Sequence, residues 1–222
     1  MKKNYVVIGI GRFGFSVARA LYDMGHDVLA IDSKEEIVET ISPYVTHAVQ
    51  VDAVDEHSLK SLGISNMDAA IVGMGDDIQA SILVTLLCKE LGVDTIIARA
   101  QDDLHGKVLA KIGADRVVFP EREMGVRVAK SLTCSNILEC IDLSDEYSIA
   151  EIEVLKEWEN KTLSDIELRK NYGLNVMAIK TPDGELNISP LPENVLKQKD
   201  ILVAIGRLED IQRLEYSSNK RK

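Results

Sequence analysis

Tyr5-Val6-Val7-Ile8-Gly9-Ile10-Gly11-Arg12-Phe13-Gly14 decides the fold of this chain, because an apolar run passes without interruption into three glycines at G-x-G-x-x-G spacing. A helix-like segment follows over residues 12–24, and the next apolar run, 27–32, closes on Asp32. Strand, glycine turn, helix and a second strand ending in a carboxylate are what a parallel sheet needs to hold a dinucleotide or an adenine nucleotide. Gly9 permits the tight turn, Gly11 lets backbone N–H groups approach a pyrophosphate, and Gly14 lets the helix lie close on the strand. The helix N-terminus adds partial positive charge for phosphate, and Asp32 can accept hydrogen bonds from both ribose hydroxyls. A carboxylate at that edge repels a 2′-phosphate, so NADP is disfavoured; NAD, ATP and ADP share the adenosine half and stay equivalent.

Working outward, strand-like runs at 4–9, 27–32, 47–51, 69–73, 95–99 and 115–119 alternate with helix-like segments at 12–24, 34–41, 55–62, 77–91 and 104–112. Six strands with intervening helices predict an α/β fold, a Rossmann-type doubly wound parallel sheet. Gly25, Gly63, Gly92 and Gly113 each stand just past a helix, where a left-handed cap is expected. Met124, Val128 and Leu132 give residues 121–132 an amphipathic helical pattern, and Ile137, Leu138 and Ile141 are read as a short helical connector. After Asp142 the texture changes. Residues 147–155, 174–179, 185–189 and 200–205 read as short strands, 162–170 as a small helix, and Pro182-Asp183-Gly184 as a hairpin turn. The expected organisation is a nucleotide-binding domain with its connector over 1–141, then a small α+β C-terminal domain over 142–222.

Composition narrows the function. The chain has 222 residues, 45% of them hydrophobic, and a net charge of −10 with no basic field to replace counterions on phosphates, so a nucleic-acid partner is excluded as the default. It has no apolar run long enough for a membrane span and no signal-peptide pattern after Met1-Lys2-Lys3-Asn4, so a cytoplasmic location is expected. Cys88, Cys134 and Cys140 fit neither a zinc spacing nor a disulfide scaffold and are expected as packing residues with free thiols. His26, His47, His57 and His105 share no ligand spacing and are expected at the surface or at strand edges. Lys220-Arg221-Lys222 is expected as a solvated end, with a contact to anionic lipid as the alternative.

Several segments, in order, resemble one family. Val51-Asp52-Ala53-Val54-Asp55-Glu56 with Leu59, Leu62, Gly63 and Ile64, then Ile97-Ala98-Arg99-Ala100-Gln101, then Ile112-Gly113-Ala114-Asp115-Arg116-Val117-Val118-Phe119-Pro120-Glu121 are similar to signatures of the regulator-of-potassium-conductance (TrkA-N) domain. The usual Thr of the first signature is replaced by Val54. Asp142-Leu143-Ser144-Asp145-Glu146-Tyr147-Ser148-Ile149 and the C-terminal half resemble the TrkA-C domain, and the likeness extends to about residue 215. The two-domain order resembles the cytosolic regulatory subunits of Ktr-type potassium-uptake systems. That resemblance implies a homo-oligomeric ring, typically of eight copies, peripheral at the inner face of the membrane beneath a membrane-embedded potassium-translocating subunit. It implies ATP or ADP in the N-terminal lobes, with ATP favouring activation, and cyclic di-AMP in the C-terminal lobes as an inactivator.

Through the resemblance, Arg12 would contact the terminal phosphate and Glu121 would help hold Mg2+ or another cation beside the phosphates; an exposed first-turn Arg and a helix-starting Glu are the structural alternatives. Phe13 lies in the glycine turn and Ser33 follows Asp32. Asp52 and Ala53 end strand three beside the expected adenine, unless Asp52 caps the next helix. Arg99 ends strand five on the ligand edge, where an ion pair with a neighbouring loop is the alternative. Arg169, Asn175, Val176 and Pro190 match the cyclic di-AMP cleft, with a plain dimer core as the alternative. An NAD-dependent oxidoreductase is the competing function. It needs a general acid or base beside the nicotinamide, and residues 142–222 contain no histidine; no enzymatic activity is expected.

Overall fold

The computed structural model describes residues 2–75, 77–133, 137–144 and 146–219. Cys134 and the tail Lys220-Arg221-Lys222 lie outside that set. The chain divides into two compact units, Met1–Glu123 and Met124–Lys222, and no helix of the described residues is long and apolar enough to cross a membrane.

The first unit is a six-stranded parallel sheet built from β1 (Asn4–Ile8), β2 (Asp27–Asp32), β3 (His47–Gln50), β4 (Ala69–Val72), β5 (Ile96–Arg99) and β6 (Arg116–Val118) in the order β3-β2-β1-β4-β5-β6. Each connection runs through a helix: α1 (Arg12–Asp23), α2 (Glu35–Ile41), α3 (Glu56–Ser61), α4 (Ile78–Glu90) and α5 (Asp103–Ile112). Val6, Ile8, Leu29, Ile31 and Ala70 face one buried layer, while Val7, Val28, Ala30 and Ile71 face the other. Strands buried on both faces must be apolar at every position, which is why they read as continuous runs. Gly25, Gly63, Gly92 and Gly113 all adopt positive φ after their helices, as expected. The order reverses between β1 and β4, and ligands of such sheets bind at the carboxyl ends of the strands there.

α6 (Pro120–Thr133) follows β6. β7 (Ile137–Asp142) then opens a five-stranded sheet of order β10-β9-β11-β8-β7, with β8 (Tyr147–Glu153), β9 (Asn175–Lys180), β10 (Leu186–Asn187) and β11 (Ile201–Arg207). Every pairing in it is antiparallel. β7 corrects the helical connector expected over 137–141: those residues pair with β8, Ile141 opposite Ile149 and Cys140 opposite Ala150, and belong to the second sheet. Between β8 and β9 lie two short helices, α7 (Leu163–Ile166) and α8 (Leu168–Tyr172), and α9 (Leu208–Asn219) follows β11. Ala150, Ile152, Leu202 and Ala204 pack with Trp158, Ile166, Leu168, Ile211 and Leu214 into one core. The hairpin turn predicted at Pro182-Asp183-Gly184 joins β9 to β10, with the Thr181 amide bonded to the Glu185 carbonyl at 2.9 Å.

Candidate functional site

The glycine turn sits at the reversal between β1 and β4. Gly9 has φ of +85°, and a Cβ there would meet Met74 Cγ at 2.5 Å, so both the backbone and the space demand glycine. A Cβ on Gly14 would lie 2.0 Å from the Gly9 carbonyl oxygen, so α1 rests directly on the turn that precedes it. Gly11 is the N-cap of α1, with no side-chain hydrogen bond to the helix's first amides and nothing within 4 Å of an added Cβ. Those amides retain donor capacity at the positive end of a twelve-residue helix, the arrangement that binds phosphate. Phe13 is half-buried and packs against the core layer that contains Val7, Ile10 and Ala18.

Asp32 holds this turn in place. One carboxylate oxygen accepts the Ile10 amide at 2.8 Å and the other accepts the Lys34 amide at 3.0 Å. An ionised carboxylate has about four acceptor positions, so two remain for a pair of ribose hydroxyls. Ser33 is exposed, and its carbonyl accepts from Gln50 Nε2 at 3.1 Å, which ties the end of β2 to the end of β3. Asp52 is exposed just beyond β3, while Ala53 is buried in the core. The capping alternative for Asp52 is taken by another residue: Asp55 is the N-cap of α3, and Asp52 instead accepts the Val54 amide at 3.2 Å.

On the other side of the reversal, Arg99 Nη2 donates to Glu121 Oε1 at 2.7 Å, so two residues singled out separately in the sequence meet as an ion pair. The Arg99 side chain is 15% exposed against 61% for Glu121. A Cβ on Gly75 would lie 2.4 Å from Arg99 Nη1, so the guanidinium rests directly on the loop after β4. Burial pulls the Glu121 carboxyl upward, but hydrogen bonds from its own amide and from Arg99, with the charges of Arg99 and Arg12, bring it below its ordinary value. Glu121 is therefore ionised at neutral pH. Arg12 is exposed on the first turn of α1, and its field reaches Glu121. Among the described residues, no three His, Cys, Asp or Glu side chains gather as a metal cluster; a cation at Glu121 would need ligands beyond the described carboxylate, imidazole and thiol groups.

The second unit carries its own cleft, of about 410 Å³. Arg169, Asn175, Val176 and Pro190 all line it, together with Glu167 and Lys170, which sequence reading passed over. Gly73 and Gly75 were also missed, although a G-x-G directly after a strand could have marked a second close approach. His105 departs from the surface position expected of it: it is 2% exposed, and its Nδ1 accepts the Gln101 amide at 3.3 Å. Cys88 is a buried thiol, pushed up to about 12 by desolvation, and Cys140 is half-buried; neither forms a disulfide among the described residues.

Comparison with known proteins fits both units. Residues 5–120 match the TrkA-N domain and residues 149–216 the TrkA-C domain. The chain is 47% identical over 213 residues to Ktr system potassium uptake protein A of Bacillus subtilis, covering 96% of each.

The chain belongs to the TrkA-N/TrkA-C family.

Ktr system potassium uptake protein C of Bacillus subtilis is likewise 47% identical, over 97% of each chain, and Ktr system potassium uptake protein A of Vibrio alginolyticus is 35% identical over 92% of each. These relatives are, by name, components of potassium uptake. Among solved structures, the GsuK RCK domain superposes with a TM-score of 0.69 at 22% identity, covering 98% of this chain and 48% of that one, and so shares the fold.

Proposed function

We propose that this TrkA-N/TrkA-C protein is the nucleotide-sensing gating subunit of a potassium transporter. In this reading it binds ATP or ADP at the glycine turn and regulates a membrane-embedded translocating partner through conformational change of a homo-oligomeric ring, an octameric ring of dimers. The observation that carries it is Asp32: a carboxylate that orders the glycine turn at the sheet's reversal and keeps acceptors for both ribose hydroxyls, in a chain similar end to end to Ktr uptake proteins. Arg12 then reaches the terminal phosphate, and Glu121 with a cation such as Mg2+ completes the phosphate end. Asp52, Ala53, Ser33 and Arg99 border the same edge. A carboxylate beside phosphates is tolerated only with compensating cations, and Arg12 and Arg99 already supply two. The protein acts in the cytoplasm, held at the membrane by its partner.

The cleft of the second unit binds cyclic di-AMP, which inactivates. In support, Arg169, Asn175, Val176 and Pro190, singled out by family resemblance alone, line one cavity with an apolar floor at Leu168 and Leu174. The structure of the GsuK channel, which shares the fold, is described as bound to NAD, so NAD and NADH belong in the same binding assay as ATP and ADP.

The test joins binding to flux. Asp32→Ala should weaken ATP and ADP binding by about 1.5–3 kcal/mol through the loss of two charge-assisted acceptors, and reconstituted potassium flux should respond to ATP in the wild type alone. Unchanged affinity in a folded variant would remove the ribose assignment. Equal flux with ATP and ADP would remove the switch, and steady hydride transfer by the purified chain would replace it with an oxidoreductase.

A further inference from the structure

Glu167 stands where a glycine or asparagine is ordinarily found. It ends α7 and begins α8 in the left-handed conformation, φ 47° and ψ 47°, which strains any residue bearing a Cβ. Its carboxylate oxygens lie 2.9 and 3.3 Å from Lys170 Nζ, and both residues line the cleft beside Arg169. Of the three charges at this wall, two are positive and one negative, and Lys170 is already matched by Glu167. The net field corresponds to one positive charge.

A phosphodiester carries one negative charge per phosphate, whereas a terminal phosphate carries about 1.5 to 2 near neutral pH. Taken one phosphate at a time, a diester set against this wall matches its net charge, whereas a terminal phosphate exceeds it. We infer that Glu167 is a charge-selecting residue of this cleft, admitting phosphodiesters and turning away phosphomonoesters. The inference rests on the cyclic dinucleotide reading of the cleft, and it answers a problem that reading creates: a site with two cations and an apolar floor would otherwise also take up mononucleotides. Because Glu167 and Lys170 are 50% and 74% exposed, solvent screens the effect to a modest size.

The experiment is competition on the full-length protein. Labelled cyclic di-AMP is bound first and then displaced by the linear dinucleotides ApA, with its single diester, and pApA, which adds one terminal phosphate. Displacement confines the reading to the cyclic dinucleotide site and ignores binding at the glycine turn. Wild type should favour ApA over pApA, and Glu167→Gln should shift that ratio toward pApA by about fivefold, as expected for removal of one screened charge. Glu167→Gly, which also relieves the backbone, should shift it equally. An unchanged ratio in both variants, or a shift in Glu167→Gly alone, would overturn the inference while leaving the cleft as a cyclic dinucleotide site. If wild type fails to retain labelled cyclic di-AMP before any competitor is added, the reading of the cleft itself falls, and the inference with it.

Discussion

At the scale of single residues, charge geometry distinguishes ligands that share most of their atoms. Arg12 lies on the first turn of α1 and interacts with Glu121; under the proposed function, a third phosphate would meet this cation where a diphosphate would not. Arg12→Ala should therefore narrow the ratio of ATP to ADP affinity while leaving the adenosine contacts intact, as read by calorimetric titration with both nucleotides. Equal losses for both would assign Arg12 a general electrostatic role. His105 makes a separate point about acid. Burial lowers its pKa from the ordinary 6.5 against the opposing pull of Asp102, and protonation would cancel the acceptor that Nδ1 offers Gln101. A depressed histidine contributes stability that is complete above the unfolded value and is lost as pH falls through the folded one. Wild type should thus lose more of its urea midpoint between pH 7.5 and pH 5 than His105→Asn, which keeps an acceptor without the charge. Equal losses in the two proteins would show that other groups set the acid limit.

At the scale of elements, the second and third glycines of the turn separate packing from binding. Gly14→Ala would drive a Cβ to 2.0 Å from the Gly9 carbonyl and lift α1 off its strand, a cost of about 3 kcal/mol by the measure of overpacked cores. Gly11→Ala meets nothing within 4 Å and has φ of −69°, so its fold should hold within about 1 kcal/mol of wild type. A methyl in the path of the phosphates should nevertheless weaken ATP binding. Melting temperatures with and without ATP check the pair: a strongly destabilised Gly11→Ala would mean that its open surroundings were misjudged. The parallel sheet was legible in sequence because strands buried on both faces show as unbroken apolar runs with glycine caps between. β7 was not, because its pairing with β8 shifts register between Ile137 and Glu139 and Ile141 is 61% exposed, which breaks the alternation that marks a strand. α9 was missed because, among its described side chains, Ile211 and Leu214 are buried amid charged neighbours, a short apolar signal at the end of the chain's last strand. The site divides the same way. Asp32 and the glycines follow from spacing, whereas Glu167 and the guanidinium resting on Gly75 depend on loop conformations with no periodic signal.

At the scale of the whole molecule, the position of β7 dictates where the two proposed binding functions can be separated. A chain ending after Asp142, the boundary suggested by sequence, keeps β7 but removes β8, its partner along Cys140, Ile141 and Asp142. A strand with no pairing partner would then face solvent, a setting that favours aggregation. A chain ending after Thr133 keeps all six strands of the first sheet and α6 complete, and leaves no strand without its sheet. The shorter truncation should therefore be soluble, bind ATP with near wild-type affinity and fail to bind cyclic di-AMP, while the longer one should aggregate despite having nine more residues. Light scattering and nucleotide titration of the two read the outcome. Cyclic di-AMP binding by the shorter form would place the second-messenger site in the first unit, and loss of ATP binding from it would mean that the first unit needs the second to form its nucleotide edge. Because a ligand shifts an equilibrium only through its differential affinity for two states, independent binding in the separated unit would also locate any coupling between ATP and cyclic di-AMP in the intact chain and its assembly, where flux can report it.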